Sequence, residues 1–238
     1  MSNKNRQSEN HLLNSLPLTE YQRLEPYLQE VTLTSGTILY EPGDVIYYAY
    51  FPLSVMISLV IVMQNGSTTE IALIGNEGMI GLPIFLGGKS SRDTIVVQMS
   101  GKGFKLRADI LKQEFDKGGI LQQRLFLYTQ ARLSQIAQVA ACNRQHKIEA
   151  RLARWLLSTY DCVLTNEIDL TQEFISHMLG VRRAGVTNAA HALQDAGIIR
   201  YNRGKIVILD RQKLEQVSCE CYQVIQNEFM RLLGSRRG

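Results

Sequence analysis

Cysteine is missing from the first 141 residues of this sequence and proline from everything after Pro83, and each gap excludes something. Without thiols in the N-terminal half, an iron–sulfur cluster there has no ligands. His11 is the only histidine before His146, so a haem in that half lacks an axial ligand as well. Neither haem nor an iron–sulfur cluster is expected. The four cysteines, Cys142, Cys162, Cys219 and Cys221, form no dense framework of the kind that staples small secreted domains. The most apolar stretch, Val55 to Met63, is too short to cross a bilayer, and no basic start joined to a long apolar run marks a leader. We expect a soluble chain in the cytoplasm with no membrane partner. Also missing are a phosphate-cradling glycine loop with its lysine and any recognisable set of nucleophile, base and orienting residue. An enzyme is therefore not expected.

What is present is an ordinary globular composition, 45% apolar and 20% charged, and a length of 238 residues that accommodates two domains. The net charge of +4 is unevenly placed. Through Asn143 there are 12 basic and 12 acidic residues, and after it 14 and 10, so the excess lies in the C-terminal part. That is compatible with a polyanionic partner.

All five prolines and most of the short β-branched runs fall in the first half. After a polar tail, residues 1–18, candidate strands are Glu30 to Thr34, Thr37 to Tyr40, Tyr47 to Phe51, Val55 to Met63, Thr69 to Ile74 and Thr94 to Met99. Asn65-Gly66 and Gly87-Gly88 supply turn signals. Short strands at this spacing predict a small antiparallel barrel or roll over residues 19–118.

Past Gly118-Gly119 the texture changes to good helix formers, predicting one rod from Ile120 to Cys142 within a segment 119–143. Phe126, Thr129, Leu133, Ile136 and Ala140 recur at alternating steps of three and four, the spacing of a seam along a partner helix. A second apolar flank, Leu121, Leu125 and Tyr128, suits contact with the roll. This pattern fits a homodimer, or a core helix within one chain.

A helix from Gln145 to Thr159 leads into the most informative segment, Leu170-Thr-Gln-Glu-Phe-Ile-Ser-His-Met-Leu-Gly180. Thr171 can cap a helix with Glu173 in its first turn, and Gly180 permits a sharp turn. A second helix follows with Val186, Ala189, Ala190 and Leu193 inward. Arg182, Arg183, Thr187, Asn188 and His191 lie at its start or on its outer face. Arg can donate two bonds to guanine and Asn can pair with adenine. Ile198-Ile-Arg-Tyr-Asn-Arg-Gly-Lys-Ile-Val-Ile-Leu209 then reads as a hairpin wing whose Arg200, Arg203 and Lys205 would meet phosphates. Residues 144–213 thus predict a winged helix-turn-helix binding double-stranded DNA, with a C-terminal helix in 214–238.

The order of these parts resembles the cyclic-AMP receptor and FNR (Crp/Fnr) family of transcription regulators. Gly75-Asn-Glu-Gly-Met-Ile-Gly-Leu-Pro-Ile-Phe85 is similar to the start of that family's phosphate-binding cassette, and Ser91-Arg-Asp-Thr94 to its end. The resemblance implies an α+β chain: a cyclic-nucleotide-binding-like β-roll, a dimerisation helix and a winged helix-turn-helix. It also implies a pseudo-palindromic operator and RNA polymerase as a partner. An effector pocket is implied at Gly81, Leu82, Arg92, Asp93, Thr94 and Tyr128. Cyclic AMP is not the expected effector, because Leu82 stands where the ribose-binding carboxylate belongs and Asp93 where a hydroxyl meets the phosphate. Cys219-Glu-Cys221 offers two thiols where zinc wants four ligands, so no metal site is expected. The rival reading is a signalling subunit that uses the roll to control a partner protein without DNA.

Overall fold

The computed structural model describes residues 8–163, 165–202 and 204–234. The chain opens with α1 (His11–Asn14) and α2 (Leu18–Leu24). The expected tail through residue 18 is too long, because Leu12, Leu13 and Leu16 are buried. Asn10 is the cause: its side chain accepts from the Leu13 N–H and donates to the carbonyls of Pro52 (2.9 Å) and Gly78 (2.8 Å). One fully buried amide thus caps α1 and pins it to the roll.

The roll contains β1 (Gln29–Leu33), β2 (Ile38–Tyr40), β3 (Tyr48–Pro52), β4 (Met56–Val62), β5 (Thr68–Ile74), α3 (Pro83–Leu86), β6 (Thr94–Met99) and β7 (Gly101–Arg107). They form two antiparallel sheets, ordered β1-β7-β3 and β2-β6-β4-β5. The six expected strands lie within a residue or two of their places. The seventh, β7, was hidden by its glycines and lysines. Gly101 is required there because a Cβ would overlap the Ser54 carbonyl.

After α4 (Ala108–Asp116) comes α5 (Gly119–Gln145), a rod of about 40 Å that extends past the expected Cys142. Glu20 of α2 caps its start, accepting the N–H of Ile120 (3.0 Å) and Leu121 (2.7 Å). Leu121, Leu125, Tyr128, Ala131 and Val139 pack into the core of the roll.

The remainder runs α6 (Ile148–Val163), β8 (Glu167–Asp169), α7 (Gln172–Leu179), α8 (Arg183–Asp195), β9 (Ile199–Asn202), β10 (Lys205–Ile208), α9 (Arg211–Val217) and α10 (Cys221–Leu233). α6, α7 and α8 share a second core with the three-stranded sheet β8-β10-β9. Two helices stand where one C-terminal helix was expected. The second, α10, returns to the first core through Ile225, Phe229, Leu232 and Leu233.

Trp155, the only tryptophan, crosses between the cores: its Nε1 donates to Glu70 of β5 at 2.9 Å, and Glu70 also accepts from Ser58 at 2.6 Å. Glu70→Ala leaves both buried donors unsatisfied. It should cost about 2 kcal/mol and shift Trp155 emission to the red. Unchanged emission and urea midpoint would show that this contact does not hold α6 to the roll.

Candidate nucleic-acid interface

The outer face of α8 is set by how α7 ends. Thr171 caps α7, its Oγ1 accepting the Phe174 N–H at 3.2 Å. Gly180 then turns the chain at φ 62°, where a Cβ would sit 2.5 Å from Thr69 Oγ1. Both the turn and the close approach therefore need glycine. Val186, Ala189, Ala190 and Leu193 face inward, and their small size lets α8 lie close to the core. Arg182, Arg183, Asn188 and His191 are exposed. Thr187 is half-buried, its hydroxyl 2.7 Å from Gln172 Oε1 and 3.1 Å from the Arg183 carbonyl, so it braces the two helices.

The wing stands beside this face. Its β10 pairs with β9 and also with β8, a three-residue strand too short to stand out in the sequence. Arg200 and Lys205 are exposed, and Arg203 lies outside the described residues. Acids sit near two of the cations: Glu173 is 3.7 Å from Arg183, while Glu167 and Asp169 are 3.6 and 3.9 Å from Lys205. Exposed pairs of this kind are worth about 0–1 kcal/mol, so a phosphate can take over either cation.

Between α7, α8 and the wing lies an open cleft of about 460 Å³ lined by Thr171, Gln172, Glu173, Arg183, Tyr201 and Gly204. Sequence reasoning gave no outward role to Gln172, Glu173 or Tyr201. Burial pushes the Tyr201 hydroxyl above its usual pKa, keeping it a donor. The only advance signal was that Gln172 and Glu173 directly follow a cap residue.

A second cavity, about 280 Å³, lies between the roll and α5. Gly81, Leu82, Arg92 and Asp93 line it, but the wall includes neither Thr94 nor Tyr128. Thr94 begins β6, opposite Val60. Tyr128 is fully buried behind the wall, its hydroxyl accepting the Met79 N–H (3.0 Å) and donating to the Met79 carbonyl (2.9 Å). From α5 the wall instead takes Thr129, Arg132, Leu133 and Ile136. Arg132 is engaged elsewhere: it donates to Tyr128, Gln135 and the Leu73 carbonyl, and lies 3.8 Å from buried Glu77. Burial raises the Asp93 carboxyl above the usual carboxylate range, against the opposing pull of Arg92.

These residues do not fit a cyclic nucleotide. Leu82 offers no ribose acceptor, and Asp93 adds negative charge beside Arg92 where a phosphate needs a positive cradle. Most of the lining is apolar, with Ser90, Ser91, Arg92, Asp93, Thr129 and Arg132 as its polar members.

Along α5, Phe126, Leu133 and Ala140 are exposed, and Thr129 and Ile136 are half-buried. Among the described residues the stripe predicted from spacing is thus left largely uncovered, although Phe126 touches the Phe115 ring at 5.3 Å.

Residues 150–217 match the model of the Crp-like helix-turn-helix domain family. No curated protein matches the chain. Among solved structures it is similar to a protein from Eubacterium rectale described as a Crp/Fnr-family transcriptional regulator, with a TM-score of 0.69, 21% identity, and coverage of 87% of this chain and 96% of that one. FixK2 from Bradyrhizobium japonicum gives 0.68 and 16%, covering 81% and 98%. A CRP-family transcriptional regulator from Thermus thermophilus gives 0.66 and 18%, covering 79% and 96%. The chain therefore carries a Crp-like helix-turn-helix domain at residues 150–217 and has the fold of the Crp/Fnr transcriptional regulators.

Proposed function

We propose that this protein is a transcription regulator that binds a pseudo-palindromic DNA site as a homodimer. The observation that carries the reading is the exposed face of α8, with Arg183, Asn188 and His191 beside the wing's Arg200 and Lys205. In a helix-turn-helix the second helix enters the major groove with its N-terminal residues on base edges. In this reading Arg183 reads a base and the exposed Arg200 and Lys205 hold phosphates, a role the sequence of the wing also gives to Arg203. Two copies joined along the α5 seam present two such helices about one DNA turn, roughly 34 Å, apart. On a promoter such a dimer works with RNA polymerase.

The cavity gives the regulator an input. Thr129, Leu133 and Ile136 belong both to its wall and to the seam. A ligand that fits one seam arrangement better than another shifts the population between them. The ligand class that suits the lining is a small, mainly apolar molecule, and cyclic AMP is not among the candidates.

Selection of bound sequences from a random DNA pool at fixed salt, with and without cyclic AMP, tests this reading. An inverted repeat should emerge in both arms. Arg183→Ala should then relax preference at one base pair per half-site and cost about 1–3 kcal/mol there. Lys205→Ala should weaken all sequences alike and flatten the salt dependence. Recovery of no motif by the wild type, or an unchanged motif with Arg183→Ala, would respectively remove the regulator reading or the base-reading role.

A further inference from the structure

Two thiols were too few for a metal, but the fold supplies the other two ligands. Cys142 is in the last turn of α5 and His146 is the residue that ends it, its N–H bonded to the Cys142 carbonyl, while Cys219 lies just before α10 and Cys221 opens it. We propose that Cys142, His146, Cys219 and Cys221 hold one tetrahedral, thiolate-preferring divalent ion, with zinc as the first choice. Their four ligand atoms all lie within 4.8 Å of one another. Cys142 Sγ is 3.5 Å from Cys219 Sγ, and Cys221 Sγ is 3.6 Å from His146 Nδ1. Around a tetrahedral zinc, with bonds of about 2.3 Å to sulfur and 2.0 Å to nitrogen, neighbouring ligands stand about 3.5–3.8 Å apart. The set needs only small adjustments to close on an ion. A polynuclear iron–sulfur core spreads its ligands over several irons and needs a wider frame than this one.

The surroundings suit an ion better than a cluster of bare thiols. His146 Nε2 lies 3.2 Å from Glu220 Oε1, which turns Nδ1 toward the sulfurs and fixes the tautomer a metal needs. Gln138 Nε2 donates to Cys221 Sγ at 3.0 Å, a bond that favours thiolate. Three thiolates and a divalent ion leave one net negative charge. Buried Arg151 and Arg154 lie near enough to Cys142 to act on it electrostatically, and among the described residues the Arg154 Nε has no hydrogen-bond partner. Binding would release the thiol protons to solvent. The three cysteines are buried, and His146 at the rim gives the ion an entry path.

The position gives the site a consequence. The DNA-binding unit is an excursion of the chain that leaves α5 just after His146 and returns just before Cys219. One ion would clasp its entry and its exit together against the helix that carries the dimer seam.

The test uses the full chain, purified reduced and without chelator. About one zinc per chain should be retained, and cobalt exchanged for it should give strong visible bands with thiolate charge transfer, as tetrahedral sulfur-rich sites do. Cys219→Ser with Cys221→Ser should lose the metal. Should that variant fail to fold, Glu220→Gln is expected to keep the ion with affinity lowered about 10–100-fold. In the unmodified protein, added zinc should protect Cys142, Cys219 and Cys221 from alkylation relative to Cys162. Failure of the reduced chain to retain zinc, or equal alkylation of all four cysteines with and without it, overturns the proposal. So does a Cys142–Cys219 disulfide in freshly purified, metal-free protein.

Discussion

Leu133→Glu combined with Ala140→Glu should give a folded monomer that has lost its grip on the operator. Leu133 is 64% exposed and Ala140 is exposed as well, so neither glutamate disturbs the packing of α5 against the roll or α10. In a dimer, two-fold symmetry brings each substituted position near its own copy, so the seam receives four negative charges in an apolar strip. Leaving them unpaired and desolvated costs more than a two-helix seam returns. Sedimentation should report half the wild-type mass with an unchanged circular dichroism spectrum. Because linked half-sites gain about 10²–10⁴ over one, operator binding should fall by that factor while half-site binding stays the same. An intact dimer would mean that the copies meet elsewhere and that the exposed seam has another use.

How much of this was readable in advance follows from the range of the forces involved. The exposed stripe on α5, the cap at Thr171, the glycine turn at 180 and the inward small residues of α8 are all set by neighbours within a turn or two. Local spacing therefore revealed them. β7 escaped because its first glycine, Gly101, answers to a carbonyl 47 residues away, at Ser54. The supposed tail escaped because Asn10 finds its partners at Pro52 and Gly78. Tyr128 was misplaced for a related reason. The family resemblance implied it in the pocket and helical phase put it on the side facing the roll, where it lies, but neither says whether a residue lines a cavity or plugs the wall behind it. The cysteine cluster shows the same limit most sharply, since Cys142 and Cys219 meet only after α10 has folded back along α5.

The wall behind the cavity carries the other large effect, at Gly78. A Cβ on this residue would overlap the Tyr128 hydroxyl oxygen and come within 2.6 Å of two ring carbons. Tyr128 has no room to yield, being fully buried, with its hydroxyl bonded to both the N–H and the carbonyl of Met79 and accepting from Arg132. Moving the ring breaks those bonds and loosens Arg132, whose buried neighbour is Glu77 at 3.8 Å. Overpacking costs about 1–3 kcal/mol, and each buried polar group left unpaired about as much again. Gly78→Ala should therefore destabilise the chain by about 3–5 kcal/mol, measured from the urea midpoint, even though alanine is the smallest addition possible. Tyr128→Phe alone should cost about 1–3 kcal/mol through the lost bonds. Combining the two should cost clearly less than their sum, because the hydroxyl that the new methyl strikes is already gone. Strict additivity would show that the glycine answers to something other than this ring, and would detach the Gly75–Phe85 loop from its anchor on α5.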